Sequence, residues 1–284
     1  MTEDGLQPAV SCPLPSTLRP LMLQRLRREW RALVAALRRL DRQMAVVLVA
    51  SVALMLLQLQ VGSRGFYRRH LDGLIPLADQ GLAAWAWWFG LQGVTGFVVP
   101  VLILTLGFRR RPAEIGLGLG DWRLASALAL AYAPLVLVGT WVLSAGADFQ
   151  AQYPHHAPAQ TDWGQFWLYE ALFLFYWMGW EYLWRGFVLF GTRPAFGVGA
   201  IFVQTVPFAL LHADKPVAEA YLSILGGLAL GALVWRCCSF WIAVPIHAFQ
   251  MVALDLFSTL RVRSGADGVG LEALARALRD GWGG

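Results

Sequence analysis

Charge is scarce in this chain: 14% of its 284 residues are Asp, Glu, Lys or Arg, against about 25% in an ordinary soluble domain. So few charges cannot cover the surface of a soluble protein this size, and such high apolar content does not belong to a disordered chain. Both classes are excluded. Lysine is nearly absent, since Lys215 is the one basic residue of 23 that is not arginine; 18 acids leave a formal balance of +5. The arginines flank long apolar runs and form no stripe with exposed aromatics, which excludes nucleic acid as a partner and favours anionic membrane lipid. Cysteine is sparse too. Cys12, Cys237 and Cys238 have neither metal-ligand spacing nor the even count of a disulfide framework.

What is abundant is apolar sequence: 57% hydrophobic and 13% aromatic residues, with a mean hydropathy of +0.53. Crossing about 30 Å of hydrocarbon takes roughly 20 residues at 1.5 Å each. Runs of that kind lie at 44–61, 83–107, 124–145, 164–191, 196–213, 219–235 and 239–258. The expected fold is all-α, a polytopic transmembrane helical bundle of about seven spans. Residues 1–43 are read as a basic cytoplasmic or interfacial segment with no secretory signal, 44–258 as the bundle, and 259–284 as a tail with a short peripheral helix. Within the first segment Leu26, Trp30, Leu33, Leu37 and Leu40 recur at three- and four-residue steps among arginines, the pattern of an amphipathic helix lying on a membrane surface. Eight arginines before the first span and Arg109, Arg110 and Arg111 after the second place both on the cytoplasmic side. Arg64, Arg68, Arg69, Arg261 and Arg263 fall on the predicted outer side, against that rule. His155 and His156 are read as part of a solvated outer loop.

The first three spans contain no ionisable side chain, whereas the later ones carry Glu170, Glu181, Arg185, His212, Glu219, His247 and Asp255. Burying such groups in a bilayer costs about 2.5–3.5 kcal/mol each on insertion scales, so their segregation marks a shared site. Glu181 and Arg185 are four residues apart on one helical face, where an ion pair is expected; Glu170, three turns earlier, falls on the same face. His212 and His247 can meet only by tertiary packing. A carboxylate with two imidazoles can activate water, or can ligate zinc with an open position, and spacing alone leaves both readings open. Depth is a difficulty: with the fourth span ending near residue 191, Glu181 and His212 sit roughly 9 Å apart along the membrane normal.

At these residues the sequence resembles the CPBP intramembrane proteases, the family of type II CAAX prenyl proteases and bacteriocin-processing or self-immunity proteins. Trp180-Glu181-Tyr182-Leu183-Trp184-Arg185 is similar to its Glu-Glu-x-x-x-Arg motif, Phe208-Ala-Leu-Leu-His212 to Phe-x-x-x-His, and Val244-Pro245-Ile246-His247-Ala248 to the third, His-centred motif. The resemblance covers about residues 110–258. It implies an intramembrane glutamic endopeptidase in which Glu181, Arg185, His212 and His247 carry catalysis and Phe208, Glu219, Trp180 and Gln250 support it. No cofactor is implied, with zinc as the alternative should Glu181, His212 and His247 ligate metal. Two departures stand out. Trp180 replaces the first Glu, usually assigned as the water-activating base, and Met251 replaces an Asn, with Gln250 one position earlier. His212-x-x-Lys215-Pro216-x-x-Glu219 looks like one branch of the family with a single Glu in the first motif, which makes Glu219 a candidate second carboxylate. The expected substrate is a protein with a membrane-associated or C-terminally anchored segment. The arginine-for-lysine usage suggests a bacterial cytoplasmic membrane. An inactive relative acting as a binding or immunity protein and a proton-coupled transporter using Glu170, Glu181 and Asp255 are the other readings.

Overall fold

A computed structural model describes residues 18–283, and Cys12 lies outside the described residues. The chain divides into two units, one up to Arg42 and one from Gln43. The first contains helix α1 (Leu18–Leu37), whose Leu26, Trp30, Leu33 and Leu37 are all exposed.

The second unit is all-helical among the described residues. It contains all but the first residue of α2 (Arg42–Gln60), then α3 (Arg64–His70), α4 (Gln80–Gly107), α5 (Trp122–Leu143), α6 (Ala147–Gln152) and α7 (Trp163–Glu181). A π-helical stretch, Tyr182–Val188, joins α7 without a break to α8 (Leu189–Phe196). Then follow α9 (Ala200–Leu210), α10 (Val217–Cys237), α11 (Ala243–Ser264) and α12 (Leu271–Asp280). Six helical runs are long and apolar enough to cross a bilayer. The sequence reading counts about seven because the run Trp163–Leu210 holds two of its spans, folded back at Gly197, where φ is +54°. Only a residue without Cβ makes that turn cheaply.

The outward face is apolar, as a bilayer requires. Val49, Leu106, Leu130 and Leu225 are all more than 60% exposed, at no cost where the solvent is hydrocarbon. Helix α5 has 17% of its span buried and lies at the periphery, whereas α11, with 61% buried, runs through the centre. Packing between spans follows membrane rules, in which small residues and buried amides replace the hydrophobic effect as the source of association. Gly93 and Gly96 of α4 meet Gly179 of α7 so closely that a methyl group on Gly179 would collide with the Gln92 carbonyl. Gln43 donates to the Gly191 carbonyl (2.7 Å), tying α2 to α8, and Gln204 donates to the Gly227 carbonyl (2.9 Å), tying α9 to α10.

The span ends are capped before they enter lipid. Asp79, Asp121 and Asp162 accept from the first-turn N–H groups of α4, α5 and α7, each contributing about 1 kcal/mol. Three of the five arginines that oppose the positive-inside pattern are engaged in the structure, whereas Arg68 and Arg69 are exposed. Arg64 lies 3.7 Å over Trp85. Arg261 is buried and donates to Ser144 Oγ and to the carbonyls of Trp141, Ala266 and Gly268. Arg263 clasps the carbonyls of Thr161, Gly281 and Gly283. These guanidiniums satisfy backbone acceptors at the end of the bundle that also holds residues 144–162.

Candidate active site

Glu181 is the last residue before the helix passes into its π-helical turn, a local unwinding that often marks a functional position. Its side chain is fully buried. One oxygen, Oε1, accepts from Arg185 Nη1 at 3.1 Å and from His247 Nδ1 at 2.6 Å. The four-residue ion pair expected from the sequence is present, and α11 brings His247 onto the same oxygen from 66 residues away. Arg185 is itself fully buried, its guanidinium carbon 4.0 Å from the Phe208 ring centre.

His212 joins this group through Phe208. The Phe208 carbonyl accepts from His212 Nδ1 at 2.8 Å, and the Phe208 ring sits 4.6 Å from the His212 ring and 6.2 Å from that of His247. The phenylalanine of the Phe-x-x-x-His pattern therefore holds one imidazole by its backbone and backs the arginine with its ring. With Nδ1–H engaged, His212 presents an unprotonated Nε2. Burial, with neighbouring positive charge, lowers its pKa to about 4. The depth difficulty disappears because the turn lies at Gly197 and not near residue 191: Glu181 precedes that turn by 16 residues and His212 follows it by 15. Two antiparallel arms of equal length bring them level.

These residues border a cavity of about 450 Å³ lined mostly by apolar side chains, including Met55, Trp88, Leu135 and Leu225. His212, His247, Phe208, Trp180, Gln250 and Glu219 all line it; Glu181 and Arg185 lie behind it. Trp180 packs against Tyr176, Phe208 and His212, and its buried Nε1–H meets no acceptor. Gln250 and Met251 both reach the cavity from a regular α-helix, so no bulge is needed to present the amide.

Glu170 does not join the Glu181 group, although helical periodicity places the two on one face. It is buried beside Asp255 of α11, and the two carboxyls face each other with no other hydrogen-bond partner among the described residues. The solvated-loop reading of His155 and His156 is also corrected. His155 stacks on Trp85 (5.6 Å between ring centres, 13° between planes), and its Nε2 is 2.8 Å from Lys215 Nζ. His156 is 4% exposed, 3.3 Å from Asp79. Residues 144–162 fold onto the bundle because their aromatic and amide side chains find partners there. Tyr153, with its hydroxyl 2.6 Å from both Glu219 oxygens, is the site residue that sequence reasoning missed. The cluster Tyr153-Pro154-His155-His156 in a loop without Lys or Arg was its only signal.

Glu181 Oε1 is engaged by Arg185 and by His247 Nδ1, while its Oε2 meets no donor among the described residues. Among the described residues no three His, Cys, Asp or Glu side chains converge as a metal site.

The fold and the site together define an integral membrane protein of helical type with a carboxylate–guanidinium–imidazole group buried among its spans. Comparison with known families agrees: residues 162–252 match the type II CAAX prenyl endopeptidase Rce1-like family. Over that segment the chain is similar to the type II CAAX endopeptidase branch of the CPBP proteases. No match was found among curated proteins or among solved structures.

Proposed function

We propose that the protein is an intramembrane endopeptidase that hydrolyses a peptide bond in a membrane-associated or C-terminally anchored protein, using water activated within the bundle. The observation that carries this reading is the pairing of two imidazoles in different electrostatic settings on one cavity. His247 donates through Nδ1 to the Glu181 carboxylate at 2.6 Å and lines the cavity, placed to stabilise a developing oxyanion. His212, bonded through Nδ1 to a neutral carbonyl, keeps a free Nε2 that orients a water by accepting from it. Arg185 holds Glu181 in place, and Glu181 acts through His247, since it does not reach the cavity. The apolar lining suits an aliphatic or aromatic segment arriving from lipid. Arginine-rich, lysine-poor composition supports a bacterial cytoplasmic membrane. No hydrogen bond links Glu170 or Asp255 to Glu181, whose partners among the described residues are Arg185 and His247, so these three carboxylates do not form one relay.

The test is proteolysis by purified protein in liposomes, offered a panel of internally quenched peptides that each carry about 20 apolar residues. Glu181→Gln and His212→Ala should abolish cleavage while inserting normally, and chelators should leave the wild-type rate unchanged. Undiminished cleavage by Glu181→Gln would overturn the mechanism, and a wild-type protein inert towards the whole panel would overturn the endopeptidase reading.

A further inference from the structure

The position that the family resemblance gives to a water-activating carboxylate holds Trp180, whose indole offers a donor and no base. Glu181 cannot take its place. It is sealed from the cavity, and its Oε1 already serves Arg185 and His247. Among the described residues that line the cavity, Glu219 is the only acid. It stands in the first turn of α10, seven residues after His212 and just past Pro216, which caps the new helix and returns the chain to the same cavity.

Glu219 is held by a relay from the loop at 144–162. Tyr153, with no exposed surface, directs its hydroxyl to both Glu219 oxygens at 2.6 Å. Lys215 Nζ donates to the Tyr153 oxygen at 3.0 Å and to His155 Nε2 at 2.8 Å, and the remaining nitrogen of His155 donates to the Gln152 carbonyl at 2.7 Å. Every link in this chain has a consistent donor and acceptor, with Lys215 charged, His155 neutral and Glu219 ionised. A tyrosine that touches both oxygens fixes the carboxylate plane and leaves lone pairs for a further donor. Burial and the neighbouring ammonium keep His155 neutral, its pKa lowered to about 3.

Building on the endopeptidase reading, we infer that Glu219 is the catalytic base, and that Tyr153 and Lys215 are its positioning residues. A water held between Glu219 and His212 Nε2 gives its proton to Glu219 as its oxygen bonds to the scissile carbonyl carbon. The carbonyl π pair moves onto oxygen, towards His247. When the tetrahedral intermediate collapses, the C–N bond breaks and Glu219 returns the proton to the departing amine. A carboxylic acid and an amine result, and the enzyme is unchanged. On this account the Trp180 departure and the Tyr153–Lys215–Glu219 relay are one adaptation: the base has moved from α7 to α10.

The experiment measures kcat against pH for wild type, Glu219→Gln, Glu219→Asp and Tyr153→Phe, with the quenched peptide that wild-type protein cleaves fastest. Glu219→Gln should lose at least about 100-fold in kcat, the scale of a lost general base. Glu219→Asp should keep measurable turnover, which guards against a folding defect. Tyr153→Phe should cleave with an acid limb moved to higher pH, because a carboxylate that loses a donor holds its proton more tightly. A merely structural Tyr153 would change the rate without moving that limb. If Glu219→Gln cleaves within about threefold of wild type while His212→Ala is dead, Glu219 is not the base and the endopeptidase reading stands. An unmoved acid limb in Tyr153→Phe would overturn the positioning role.

Discussion

The Glu181–Arg185 pair offers the sharpest energetic test of this fold. Both side chains have no exposed surface, and Arg185 makes one hydrogen bond, leaving Nε and Nη2 with only the Phe208 ring nearby. A guanidinium held this way depends almost wholly on its single counter-charge. Replacing Glu181 with Leu strands it, a loss of about 3–5 kcal/mol for breaking a buried pair from one side. Arg185→Met strands the carboxylate instead and should cost a similar amount, partly offset because His247 still donates to it. Replacing both partners removes two buried charges and is expected to be neutral or stabilising by about 1–4 kcal/mol. Against that stands about 1–3 kcal/mol for the His247 Nδ1–H left without an acceptor. The double variant should therefore fold close to wild type while either single variant falls well below it. At about 2–4 °C per kcal/mol for chains of this size, the single variants should lose on the order of 10 °C in melting temperature. Tryptophan fluorescence on heating in detergent reads the difference directly. If the double variant loses the sum of the two single losses, the pair is not coupled and the reasoning is refuted.

Three further outcomes follow from the structure. Gly179→Val should block the approach of α7 to α4, costing about 1–3 kcal/mol or more by overpacking and broadening the size-exclusion peak. His155 and His212 have pKa values lowered to about 3 and about 4, so each contributes stability that is complete above the unfolded value near 6.5. That stability is lost as pH falls from 6.5 towards those folded-state values; the melting temperature should drop between pH 7 and pH 4.5, and less steeply in His155→Phe. Arg261→Met should release four hydrogen bonds to residues 141–144 and 266–268, at a cost of about 2 kcal/mol or more, and open the segment after Ser264 to limited proteolysis.

What could be read from the sequence were the quantities carried by composition and helical periodicity. Five of the seven hydrophobic runs map onto spanning helices with ends displaced by a few residues, and the other two share the run Trp163–Leu210, because a bilayer demands length and apolarity and little else. The Glu181–Arg185 pair was legible for the same reason, since residues four apart on a helix always face one another. Trp180 was legible only through its resemblance to an ordered family motif, whereas His212 and His247 stood out first as ionisable groups within apolar spans. The break between the two spans was legible near 192–195, but its place at Gly197 was not, since the helix continues through Arg193 and Pro194 to Phe196. Glu170 shows the limit of periodicity: it shares a face with Glu181, but α11 supplies each of them a different partner, Asp255 for one and His247 for the other.

The sequence by itself determined a membrane protein, its helical class, and which ionisable residues are too costly in lipid to be incidental. Only the tertiary structure decided how they divide the work. The reason is physical: burial cost belongs to each residue and can be counted along the chain, whereas pairing depends on which helices pack together. Packing placed Glu181 behind His247, sealed from the cavity. The same packing folded the 144–162 loop back so that Tyr153 and Lys215 hold Glu219 in the cavity wall.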